Sequence, residues 1–89
     1  MANLTTHEKE KFTLGIEEEF QIIDPTTREL SPRNADIIRE ITPILGEWVK
    51  PEMLMSCVET VTPVCQNITE AREHLLRNRS ALHEVASKF

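Results

Sequence analysis

Glycine is nearly missing from this chain of 89 residues, which has only Gly15 and Gly46. Neither G-x-x-x-x-G-K-[ST] nor G-x-G-x-x-G can be written with them, so a glycine-built phosphate cradle is excluded. Cysteine is scarce too: Cys57 and Cys65, with three scattered histidines, supply neither a disulfide framework nor a closed four-ligand zinc site. Reduced thiols and a cytoplasmic location are the expectation. Basic residues fall short of acidic ones, 10 against 15, for a net charge of −5. That argues against nucleic acid as a partner, which would need a basic face. It leaves nucleotides open, because carboxylates can hold a phosphate through a divalent cation. No apolar run approaches the roughly 18 residues that a membrane span needs, and the start carries no secretory pattern. Ser, His and Asp show no nucleophile-elbow context.

What is present is an ordinary foldable composition, 39% hydrophobic and 28% charged. A chain of this length buries only about 60 to 65% of its unfolded surface, so one small domain is the most it can form. Residues 1–11 are polar and without period, and read as a mobile leader. Residues 12–89 carry the pattern.

From Phe12 the period is two: Phe12, Leu14, Ile16, Phe20 and Ile22 share one side, and Thr13, Gly15, Glu17, Glu19 and Gln21 the other. This predicts a strand with one apolar face. Glu18 interrupts that face, which places it near an edge or calls for a partner. Asp24-Pro25-Thr26-Thr27-Arg28 reads as a turn. Ile37, Ile38, Ile41, Ile44 and Leu45 then recur at helical steps, with Asn34 as candidate N-cap and Pro43 kinking or ending the helix before Gly46. Trp48 is expected at that corner. A second strand is predicted over Met53 to Thr62, where Met55, Cys57, Glu59 and Val61 alternate with their neighbours. Asn67 and Glu70 make a capping-box variant that opens a helix to about Ser87, with Ile68, Ala71, Leu75, Leu82, Val85 and Ala86 on its apolar face. Arg72, Glu73, Arg77, Arg79 and Glu84 read as its solvated face. The predicted class is α+β in the order strand, helix, strand, helix. Two strands are marginal alone, so the sheet must be completed by another copy or by segments of a longer protein.

The chemistry concentrates in Gly15-Ile16-Glu17-Glu18-Glu19-Phe20. Glu17 and Glu19 leave one face with Cβ atoms about 6 to 7 Å apart, and two such anions repel unless a cation lies between them. A hard divalent metal, Mg²⁺ or Mn²⁺, suits oxygen ligands of this kind. An exposed acidic face paired to Lys and Arg accounts for the same pattern. Glu59 shares a side with Met55, Cys57 and Val61, where a lone charge is costly. It either joins Glu17 and Glu19 as a third metal carboxylate or is a structural Glu held by Arg or backbone amides. His74 and His83, nine apart, do not match metal-ligand spacing on a helix. Cys65 beside a helix start reads as a small buried thiol.

The stretches Phe12-Thr-Leu-Gly-Ile-Glu-Glu-Glu-Phe-Gln-Ile-Ile-Asp-Pro25 and Val58-Glu-Thr-Val-Thr-Pro-Val-Cys65, with the helix from Glu70 to Ala86, resemble the opening segment of the carboxylate-amine ligases of the bacterial glutamate-cysteine ligase type 2 family. The resemblance implies part of a glutamine-synthetase-like catalytic fold that binds ATP through divalent metals. It further implies glutamate and an amine such as cysteine as substrates, joined through an acyl phosphate. Glu17 and Glu19 match the two acids of G-I-E-x-E that resemble family metal ligands, and Glu59 matches the acid of the second motif. Glu18, between them, is not carried over. Val61 departs from the family pattern, which often has Asn there. No residue of the chain is assigned a catalytic role, and the chain by itself is expected to show no turnover.

Two functions therefore stand as expectations. The first is the N-terminal part of an ATP-dependent ligase that pairs with itself through its sheet edges. The second is a noncatalytic interaction domain that keeps the ligase fold and binds a partner through those edges.

Overall fold

Three segments of β structure and two helices are arranged in the computed structural model, which describes residues 12–51 and 54–89. The order is β1 (Glu17–Gln21), α1 (Asn34–Leu45), a 3-10 turn (Gly46–Trp48), β2 (Val49–Pro51), β3 (Cys57–Val61) and α2 (Ile68–Ala86). The class is α+β as expected, but the predicted order lacked β2. Three residues are too few to show a period, and Pro51 hid the strand further. Proline is tolerated there because β2 lies at an edge of the sheet, whose order is β1-β3-β2. Both pairings are antiparallel.

The second predicted strand is also shorter than expected. Leu54 to Ser56 form a turn that closes with the Cys57 amide donating to the Leu54 carbonyl at 3.1 Å. Leu54 and Met55 alternate with their neighbours yet are exposed. Met53, like the predicted leader over residues 1–11, lies outside the described residues.

Along β1 the even positions, Glu18 and Phe20, are half-buried and the odd ones, Glu17, Glu19 and Gln21, exposed. Alternation is therefore real, although Phe12 at its start is exposed. Both helices pack on the even side. Ile37, Ile41 and Leu45, spaced by four, form the buried stripe of α1 and meet Val49 and Val58 of the sheet and Leu82 and Val85 of α2. Ile68, placed on that face by its helical spacing, is exposed.

Local chemistry sets the element ends. Asn67 Oδ1 accepts from the Glu70 amide at 2.9 Å, and Glu70 Oε2 accepts from the Gln66 amide at 2.7 Å. The expected capping box is formed, with its return bond one residue further back; such a cap contributes about 1 kcal/mol. Asn34 is not the cap of α1. It is the first helical residue, nearly buried, and its amide donates to the Met55 carbonyl and its Nδ2 to the Leu54 carbonyl. The side chain is drawn into a bond between distant segments instead of a local one. Helix α1 continues through Pro43 to Leu45, and the chain reverses at Gly46, whose φ of 59° favours glycine.

The expected turn at Asp24 is built by its own carboxylate. Oδ1 accepts from the amides of Thr26 and Thr27 at 2.8 and 2.9 Å, and Arg28 takes a positive φ. The Thr27 bond, then the Thr26 bond, holds the Asp24 carboxyl below the ordinary aspartate range. A depressed carboxylate contributes stability above its unfolded value and loses it as pH falls through the folded value. Acidification below the ordinary aspartate range is therefore expected to speed amide exchange at Thr26 and Thr27 before the rest of the chain responds. Amide exchange measured by NMR across that range checks this, and uniform behaviour of all amides would count against it.

Candidate functional site

The site is a row across the sheet on the side away from the helices. Register places Glu19 directly opposite Glu59, and Lys50 opposite Glu59 on its other flank. Opposed side chains share a face, so Glu19, Glu59 and Lys50 line up across all three strands. Glu17 stands two residues along on the same face, opposite Val61. Opposed Cβ atoms lie about 4.5 to 5.5 Å apart and diagonal ones about 7 to 8 Å, so the three glutamates occupy neighbouring positions on one face. Glu17, Glu19 and Lys50 are exposed, and Glu59 is half-buried. Among the described residues neither Glu17 nor Glu19 has an ion-pair partner.

The structure thus brings together the three acids that the sequence singled out. It does not close them into a cage: among the described residues no group of three His, Cys, Asp or Glu side chains stands ready to hold a metal ion. In donor chemistry the set fits Mg²⁺ or Mn²⁺, being all carboxylate oxygen, and does not suit a softer metal.

Glu18, the acid on the opposite face, has the partner its position demanded. Arg79 Nε donates to Oε1 at 2.9 Å and Nη2 to Oε2 at 2.6 Å. The hydrogen bonds to Glu18, then its charge, raise the Arg79 guanidinium above its ordinary value. Arg72, Glu73, Arg77, Arg79 and Glu84 are all exposed, as expected of a solvated face, and two of them also make contacts. The Arg77 guanidinium carbon lies 4.9 Å from the centre of the Trp48 ring, and His74 meets that ring edge-on at 5.5 Å. These contacts join distant segments, which helix periodicity alone does not reveal.

The remaining candidates have structural surroundings. Both cysteines are buried and free, and Cys65 Sγ donates to the Pro63 carbonyl at 3.2 Å. His83 is exposed. Asn78, unremarked in the sequence, is buried and its Nδ2 donates to the Val61 carbonyl at 3.0 Å, tying α2 to the end of β3. A cavity of about 370 Å³ opens on the helix side, lined by Phe20, Ile22, Ile37, Leu82 and Phe89 among others. It lies across the sheet from the carboxylates.

Glutamate-cysteine ligase family 2 matches residues 13–89, and the chain belongs to that family. It is 50% identical over 76 residues to a protein of Herpetosiphon aurantiacus named "Putative glutamate--cysteine ligase 2", covering 85% of this chain and 20% of that protein. A protein of the same name from Chloroflexus aurantiacus is 49% identical over 77 residues, covering 86% and 20%. One from Solibacter usitatus is 41% identical over 85 residues, covering 94% and 22%. The chain thus spans about a fifth of the length of the curated relatives it matches. Among the described residues no helix is long and apolar enough to cross a membrane.

Proposed function

We propose that this chain forms the N-terminal part of an ATP-dependent carboxylate-amine ligase, in which Glu17, Glu19 and Glu59 hold Mg²⁺ or Mn²⁺. One observation carries this reading: two glutamates stand directly opposite each other on neighbouring strands, with a third on the same face. Like charges so placed weaken strand pairing, and a divalent cation turns the repulsion into attraction. The metal would neutralise phosphate charge and help hold the transferred group in line. The chain's own part is to project carboxylates from rigid strands and to keep the helices on the far side.

In the complete ligase, ATP would phosphorylate the γ-carboxyl of glutamate, and the amino group of cysteine would displace phosphate from the acyl phosphate. The fold would be glutamine-synthetase-like and the location cytoplasmic. Family membership and the carboxylate donor set support this. Lys50, in the same row as Glu19 and Glu59, adds a positive charge beside the proposed metal position.

Calorimetric titration of Mn²⁺ into the chain and into Glu17→Gln, Glu19→Gln and Glu59→Gln tests the assignment. Equal affinity in the parent and all three variants would overturn it.

The same reading includes self-association, because β1 and β2 are both edges of the sheet among the described residues. Sedimentation at two concentrations is expected to show a larger species at the higher one. A strict monomer at both refutes self-pairing through the edges.

A further inference from the structure

Among the described residues strand β1 is bonded on one side only, to β3, and its helix-facing side meets α2 across open grooves. One groove is the cavity of about 370 Å³ beside Phe20 and Ile22. The other, of about 280 Å³, is lined by Leu14, Ile16, Ala71 and Leu75. Arg79 borders both. Among the described residues its fork on Glu18 is the only side-chain hydrogen bonding between β1 and α2. An edge strand flanked by empty space is thereby fastened to the long helix at its second residue.

We propose that Arg79 is a positioning residue for the carboxylate face, holding β1 through Glu18 so that Glu17 and Glu19 stay turned toward Glu59. The inference rests on the metal reading above. Glu18 lies between Glu17 and Glu19, and side chains on a strand alternate, so fixing it toward α2 fixes its neighbours toward the open face. A two-bonded guanidinium fork resists twisting of the strand in a way that one bond would not. Preorganised carboxylates bind a cation with less ordering cost than carboxylates on a fraying edge.

Amide exchange of residues 17–21 and Mn²⁺ affinity are measured in the parent, Glu18→Gln, Arg79→Lys and Arg79→Met. Exchange in β1 is expected to quicken about two- to fivefold over the parent, the scale that loss of an exposed pair allows. Mn²⁺ affinity is expected to fall by a similar factor. Arg79→Lys keeps the charge but loses the fork, so it should behave like Arg79→Met. Arg39→Met, which breaks a surface pair with Asp36 on α1, serves as control and should move neither readout. β1 exchange no faster in the Glu18 and Arg79 variants than in the control overturns the clamp. Faster exchange with unchanged Mn²⁺ affinity overturns the positioning role. A parent that binds no Mn²⁺ overturns the metal reading itself, and the exchange data still decide whether the clamp exists.

Discussion

Glu19→Gln is expected to weaken Mn²⁺ binding about tenfold and, in the presence of EDTA, to raise the melting temperature by about 2 to 4 °C. The two effects have opposite sign because one side chain does two things. Without metal, Glu19 faces Glu59 across the β1–β3 pair, an arrangement that costs up to about 1 kcal/mol. In a domain of this size about half of that moves the melting temperature by a few degrees. With metal, the same carboxylate is a ligand, and its loss is felt as affinity. Glu17→Gln should weaken binding too, but it faces Val61, so its stabilising effect should be smaller. Glu59→Gln, at the centre of the row, should weaken Mn²⁺ binding as well. Thermal melts with and without Mn²⁺ check the signs. A melting temperature for Glu19→Gln that falls in EDTA would show that the carboxylate stabilises the metal-free sheet, contrary to the argument.

Ile41→Ala is expected to cost about 3 to 4 kcal/mol of folding stability. Ile41 is 0% exposed, midway along the stripe by which α1 meets the sheet and α2. Truncating it removes transfer energy and leaves a void that Ile37, Val58 and Val85 can only partly fill. Small single domains hold about 5 kcal/mol in total, so the variant should be unfolded at low urea concentrations. Ile44→Ala, on the same helix but 46% exposed, should lose no more than about 1 kcal/mol. Urea titration of the pair separates burial from helix propensity, since both variants make the same chemical change.

What could be read from the chain follows from the range of the forces involved. The alternation of β1 and the capping at Asn67 and Glu70 are local patterns, and both are found in the structure. Strand β2 is not legible, because three residues ending in proline leave no periodic trace. Asn34 has the right chemistry for a cap, but it lies inside the first turn, where its Nδ2 donates to the Leu54 carbonyl 20 residues away and its backbone amide to the Met55 carbonyl. The need of Glu18 for a partner was legible, whereas the identity of Arg79, 61 residues on, depends on how α2 lies over the sheet. For the candidate site, the spacing of Glu17 and Glu19 placed them on one face. That Glu59 comes to rest opposite Glu19 is a matter of register, which follows from the whole packing of strands and helices.

The division of β1 into an acidic side and a greasy side also guards assembly. Were the strand to slide by a single position along its partner, Glu17 and Glu19 would be driven beneath the helices while Phe20 swung out into water. That single-position slip carries a desolvation cost that the correct alignment avoids. The acids proposed to attract a cation in the finished protein therefore act earlier as a pawl, barring the nascent sheet from closing one position out of frame.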